Sequence, residues 1–452
     1  MNRDRFRWLY EQENIEIEWM QAQKEGIDAE GIAESVEKLL QKPIQERNRL
    51  EAARLMRQLE ELPVRAGFHY KEPESCEEIE SALPSKAKEC FDFREKEYRS
   101  RVYCGLTGRF AGCLLGMPVE TWSVRKIADF IKETGQDPCE VFFHSRVEEK
   151  IRDKYDIVDE DDGTRYDRMM ECWINNYDHI PVDDDINYTV LALRLLERYG
   201  ADFSSQDVAE NWIYAFPAAH ACTAERIAYR NILNGIPVPD CGKFYNPFRE
   251  WIGAQIRADL FGYVCPGKPW LAAGMAYREA VVSHTKNGVY GAMLTAALNS
   301  LAFCMEEPLM LYRHALLQIP PMSRLYEAVN GICDAFQNEE TYESVITSIY
   351  GQYDENLFFD WCHVIPNAML VAANLLYHGK DYDLAVGNTV KCGFDTDCNA
   401  ATVGSIAGIL NNRVPEYRIH ALGSRVETSI HSYHNLSVEE ITDRICKQRR
   451  SE

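Results

Sequence analysis

Two acidic clusters carry the residues best suited to chemistry. Asp183-Asp184-Asp185 follows Pro181 and runs into the apolar stretch Ile186 to Leu191. Asp395-Thr396-Asp397 follows Gly393-Phe394 and runs into a stretch of small residues from Asn399. Each pattern reads as a helix start, where the positive end of the helix dipole favours Asp. A single Asp is enough to cap a helix. Three in a row repel one another unless a cation neutralises them. Two carboxylates at the mouth of a charge-free helix need a counter-charge, and no Lys or Arg lies between Phe394 and Asn411. Hard divalent cations prefer oxygen ligands. Besides ordinary capping, the two clusters therefore read together as a site for two Mg²⁺ ions, with Mn²⁺ as the alternative. Nothing resembles the regular ligand spacing of an EF-hand.

Helices must position these groups. The segments 186–199, 271–281, 288–305, 366–378 and 399–410 are long, apolar and rich in Ala or Leu. Gly105, Gly108, Gly112 and Gly116 dot one helical pattern, and Ala400, Gly404 and Gly408 another. Glycine costs helix stability, so small residues at four-residue steps point to two backbones packed close together. A crossing of these two helices would bring their ends to a shared site. Val141-Phe142-Phe143 is one short strand candidate, and strands do not alternate with helices. The expected fold is all-α: a compact multi-helix domain over 98–452 behind an N-terminal helical extension over 1–97. In the extension, Ile32, Val36, Leu39 and Leu40 form one apolar stripe, and Leu50, Ala53, Leu55 and Leu59 a second. The acidic run from Asp153 to Asp167 reads as an exposed loop.

The whole chain narrows the function. Its 452 residues are 46 % hydrophobic and 27 % charged, with 49 basic and 71 acidic residues and a net charge of −22. That balance argues against nucleic acid and anionic membranes as partners. The fifteen cysteines form no C-x-x-C pair, as expected where Cys serves as a small buried hydrophobe in a reducing compartment. Met1 to Phe6 lacks the apolar core of a signal peptide. No stretch approaches a charge-free membrane span. The expectation is a soluble cytoplasmic protein.

The ordered motifs resemble one family. Gly105-Leu-Thr-Gly-Arg-Phe-Ala-Gly-Cys-Leu-Leu-Gly-Met-Pro-Val-Glu120, Asp183-Asp-Asp-Ile-Asn-Tyr-Thr189 and Gly393-Phe-Asp-Thr-Asp-Cys-Asn-Ala-Ala401 stand in the order found in the ADP-ribosylglycohydrolases. That group includes the dinitrogenase-reductase-activating glycohydrolases and the crystallin J1-like proteins. Gly253-Ala-Gln-Ile-Arg257 and Ser283-His284-Thr285 are similar to two further segments between them. The resemblance covers roughly residues 98 to 425. It implies that Asp183, Asp184 and Asp185 supply metal ligands from one side, and Asp395 and Asp397 from the other. It places Glu120 over the substrate ribose, in acid–base chemistry or gating. Gly253 and Ala254 would approach a diphosphate through their backbones, with Arg257 and His284 around the pocket. Cys398 departs from the family, which commonly has Thr or Ser there, and a thiol is a poor partner for Mg²⁺. Asp183 stands where Thr is common.

From the residues alone, His284 is equally a buried structural histidine. Asn367, in Trp361-Cys362-His363-Val-Ile-Pro-Asn367, lines the substrate pocket or else packs and caps a helix. The reaction implied is Mg²⁺-dependent hydrolysis of an N- or O-glycosidic bond to ribose, removing ADP-ribose from a modified protein or small molecule. Asp184 or Glu120 would be the proton acceptor. Two rivals stand beside it. One is hydrolysis of another ribosyl glycoside or nucleoside. The other is a catalytically silent protein that binds ADP-ribose.

Overall fold

The structure is a computed structural model that describes residues 8–43, 45–159 and 173–450. Among these residues it is all-α: helices joined by short turns, four isolated β-bridges and no sheet. The helices of the N-terminal segment and of the site, numbered in chain order, are α1 (Glu11–Lys24), α2 (Ala33–Leu40), α3 (Glu46–Glu61), α4 (Tyr98–Gly116), α5 (Asp184–Tyr199), α6 (Lys286–Ala302), α7 (Val364–His378) and α8 (Thr396–Asn411).

The expected crossing of the Gly-dotted helices is the spine of the fold. α4 and α8 run antiparallel. Gly108 faces the Gly404 carbonyl, Gly112 the Ala400 carbonyl, and Gly116 the Thr396 carbonyl and Asp397 amide. A methyl group at Gly112 or Gly116 would overlap that backbone. The close approach is therefore possible only without a side chain. It carries the C-terminal end of α4 directly onto the first turn of α8, and the Thr396 hydroxyl donates to the Gly116 carbonyl at 2.9 Å.

The stretch Glu95–Val119 is long and apolar enough by composition to cross a membrane, which corrects the expectation from sequence. That apolarity serves packing, because 94 % of its apolar window is buried inside the protein.

The N-terminal segment packs its own satellite core around Ile15, Ala22, Val36, Leu39, Leu55, Met56 and Leu59. The second stripe shifts from its expected register. Ala52, Leu55, Met56 and Leu59 are buried, whereas Leu50 is 77 % exposed. Leu40 is also exposed. α3 turns toward α1, and that contact selects the face. Val141 to Phe143 forms no strand; Phe142 and Phe143 anchor an irregular segment in the core. Of the expected acidic loop, Asp153 lies within the short helix Glu149–Tyr155 and Asp156 caps its C-terminal end, both exposed. Its remainder from residue 160, like Met1 to Phe6, lies outside the described residues.

The extension meets the body through buried charge. Arg249 pairs with Glu18 at 2.8 Å and Glu25 at 2.7 Å, both in or just after α1. Lys286 also pairs with Glu25. Gln21 donates to Glu250 at 2.7 Å. Arg324 joins Glu72 and Glu250, each at 2.7 Å.

Candidate metal centre

α5 and α8 start beside each other in the core. Asp183 caps α5, its Oδ1 accepting from the Asp185 amide at 3.0 Å. Asp397 Oδ1 accepts from the Cys398 amide at 3.0 Å in the first turn of α8. Asp183, Asp184, Asp185, Asp395 and Asp397 are all buried.

Two compact nests of ligand atoms result. One joins Asp183 and Asp185 with Cys113 of α4; the other joins Asp395, Asp397 and Cys398. Within each nest the candidate atoms lie within 4.8 Å of one another. The nests feel each other. Burial pushes the Asp185 carboxyl up to about 8, with Arg109 opposing and the charges of Asp183 and Asp395 adding to the rise. Burial likewise pushes the Cys398 thiol well up, reinforced by Asp185, Asp395, Asp397 and Asp184.

Arg109 sits behind the first nest. Its guanidinium is fully buried and bridges Asp185 Oδ1 at 2.7 Å and Asp259 Oδ2 at 2.8 Å. It also donates to Thr189 Oγ1 at 2.8 Å and to the Ile256 carbonyl. All three of its nitrogens are engaged there, on the side of α5 and Asp259. Asp185 Oδ2 and Asp395 Oδ1 remain buried without a hydrogen-bond partner. Orphaned carboxylate oxygens are costly in a protein interior. The two lie one in each nest, and each fits a divalent cation held by Asp185 or Asp395 with the neighbours in its own nest.

Asn367 lies inside α7 rather than at its cap, which His363 forms. Its Oδ1 accepts from Asn399 Nδ2 at 2.6 Å and from the Asp395 amide at 3.4 Å. Its Nδ2 donates to the carbonyls of Trp361 at 3.0 Å and His363 at 2.8 Å. The side chain is fully buried and pins the Asp395 loop to the start of α7. Cys362, just before α7, donates its thiol to Asp395 Oδ2 at 3.4 Å.

Glu120 follows the Met117–Val119 turn at the end of α4 and is half-buried. The Gly116 contact places that turn beside Asp397. Asp184, 7 % exposed, is the most accessible of the first trio.

Arg257 and His284 lie behind α5. Arg257 pairs with Glu279 at 2.9 Å and with Glu225, and stacks on Tyr188 and Trp212 with 5.3 and 5.1 Å to the ring centres. It donates to Ser283 Oγ at 3.0 Å, which in turn bonds His284 Nδ1 at 2.8 Å. Burial and Arg257 hold His284 well below its ordinary value, so the ring is neutral. The place of a Gly253 side chain is taken by the Glu225 carboxylate, and Ala254 is fully buried.

Sequence reasoning did not assign Arg109, Cys113 or Asp259 to this site, and it met Cys362 only within the stretch 361–367 that lines the pocket or else packs. Arg109, the one charged residue of the Gly-dotted stretch 105–116, was the available signal, since it demands a buried acidic partner. Nothing local marks the thiols.

A family model for ADP-ribosylglycohydrolase matches residues 94–450. Solved structures match as well, 41 chains in all. One of them, titled "ADP-ribosylglycohydrolase-related protein complex", superposes with a TM-score of 0.50 at 16 % identity, covering 78 % of this chain and 100 % of that one. No curated protein matches significantly. The structural likeness speaks for the fold alone, whereas the family match spans both acidic clusters and the helices that join them. The chain belongs to the ADP-ribosylglycohydrolase family.

Proposed function

We propose that this protein hydrolyses an N- or O-glycosidic bond to ribose with the help of divalent cations, and that its substrate is an ADP-ribosylated protein or small molecule. The family implies a glycoside hydrolase. The observation that carries the finer reading is the convergence of Asp185 and Asp395, each with a buried, unpartnered oxygen, at two adjoining helix starts. Bound divalent cations, Mg²⁺ or Mn²⁺ by the sequence reading, would orient the ribose hydroxyls and polarise a water.

The chain's own residues supply the rest. Asp184 accepts the proton of the water that attacks the anomeric carbon. Glu120, half-buried after the turn at the end of α4, protonates the departing group. The reaction passes through an oxocarbenium-like transition state, which the surrounding carboxylates stabilise electrostatically. Asn367 keeps Asp395 in register, and Arg109 fixes Asp185, so both nests are built before substrate arrives.

Release of ADP-ribose from arginine- or serine-linked ADP-ribosyl substrates, with and without Mg²⁺ or Mn²⁺, tests this reading. Asp395→Ala and Asp397→Ala should abolish release and cation binding while the helical circular dichroism stays intact. Asp184→Asn should slow turnover by about 10²–10⁴-fold. Full activity in both Asp395→Ala and Asp397→Ala refutes the assignment. Cation-dependent ADP-ribose binding without turnover of any ribosyl substrate would favour a silent binding protein instead.

A further inference from the structure

Carboxylates alone do not describe this centre. Each nest contains a thiol. Cys113 joins Asp183 and Asp185, and Cys398 joins Asp395 and Asp397. A third thiol, Cys362, lies on Asp395. Cys398 is 4 % exposed. Its neighbours here are acidic side chains, a poor environment for a residue serving only as a small hydrophobe.

The two nests differ in what their thiol faces. Cys113 donates to Asp183 Oδ1 at 3.4 Å, and Asp185, whose Oδ2 is unpartnered, holds the Arg109 guanidinium through Oδ1. In the second nest Asp395 Oδ1 has no hydrogen-bond partner, and the Cys398 sulfur lies within 4.8 Å of the Asp395 and Asp397 ligand atoms. Two carboxylates and one sulfur, buried together, form a mixed hard and soft donor set. Mg²⁺ takes oxygen ligands in a strict octahedron, whereas thiolate favours borderline and soft ions.

We propose that the Asp395–Asp397–Cys398 nest binds its cation through the Cys398 sulfur as well as through carboxylate oxygen, and so selects a thiophilic divalent ion such as Zn²⁺ or Co²⁺ over Mg²⁺. The inference rests on the proposed function, since it concerns the same centre. On binding, the Cys398 S–H bond breaks, the proton leaves to solvent, and the sulfur electron pair forms the bond to the metal. No group is oxidised or reduced, and one proton is released per ion.

The test uses the full chain, stripped of metal, in a background where the exposed Cys76 and Cys90 are changed to serine so that surface thiols do not contribute. Titration with Co²⁺ or Cd²⁺ should give a sulfur-to-metal charge-transfer band in the ultraviolet at one equivalent, with release of one proton. Cys398→Ser should remove the band and weaken Zn²⁺ binding by about tenfold or more, with Mg²⁺ binding unchanged or tighter. Cys398→Thr is the second variant if the serine form folds poorly. Absence of the band in the parent, its persistence in both variants, or Mg²⁺ binding as tight as Zn²⁺ overturns the proposal. If Mg²⁺ binds and no band forms, only this inference fails. If no divalent ion binds at all, the proposed function fails with it.

Discussion

The seam under the N-terminal extension and the centre at the helix starts both bury charge, yet they neutralise it differently. At the seam the buried carboxylates described above have basic partners: Glu18 and Glu25 with Arg249, Glu25 with Lys286, Glu72 and Glu250 with Arg324. Burial pushes the Glu250 carboxyl up, but Arg324 and His363 outweigh it and hold it well below its ordinary value. Burial prevails at Glu18, which is pushed up despite Arg249, and at the centre it prevails at Asp185, which is pushed up to about 8 despite Arg109. A seam that pairs its own charges contributes structure. The centre differs in leaving Asp185 Oδ2 and Asp395 Oδ1 without a hydrogen-bond partner, which suits something brought from outside.

Removing one partner from the seam should break the comparison most severely. Arg249→Ala strands Glu18 and Glu25 in the interior, and loss of one member of a buried pair costs about 3–5 kcal/mol. Urea denaturation would read this as a lower midpoint. Gly116→Ala comes next. The added methyl meets the Asp397 backbone, and overpacking of this kind costs about 1–3 kcal/mol. Divalent-ion binding, read by calorimetry, should fall further than stability, because the first turn of α8 must move.

Asp395→Asn tests the centre from the opposite direction. It removes a charge that raises Asp185. The metal-free protein should therefore melt at the same or a higher temperature, a gain of about 1 kcal/mol at most, while its stabilisation by divalent ions disappears. A clear loss of metal-free stability would place this carboxylate with the self-paired groups.

The smallest effect is on pH. Burial, with Arg324 and Lys24, holds His363 below its ordinary 6.5 against the pull of Glu250. The unfolded chain takes up that proton as pH falls through 6.5 and the folded chain does not, so the seam loses stability on acidification. Asp185 acts oppositely. Its raised value means that the metal-free fold binds the extra proton, so stability is gained as pH falls from about 8 toward the ordinary carboxylate range. Melting temperatures at about pH 7.5 and about pH 5.5 should therefore drop more in the cation-loaded protein than in the cation-free one. Equal drops in both would remove the distinction between the two regions.

Much of this was legible beforehand, for identifiable reasons. The small-residue steps of Gly108, Gly112 and Gly116 against Ala400 and Gly404 predict a close crossing, because only a backbone that approaches another tolerates such a run. The Asp clusters mark helix starts, since capping is local. The stripe on α3 slipped, with Leu50 exposed and Ala52 and Met56 buried, because an amphipathic helix of mixed composition presents more than one plausible face. The pairing of Asn367 with Asn399 and the Asp395 loop was equally hidden, being a contact between segments about thirty residues apart.

The sequence by itself determined the all-α class, the two acidic helix starts and the order of motifs, because periodicity, capping and local charge act within a few residues. Tertiary structure alone decided that Arg109 backs Asp185 and that the thiols of Cys113 and Cys362 stand among the carboxylates. Those relations depend on how the antiparallel crossing of α4 and α8 aligns distant segments, and no local propensity encodes that alignment.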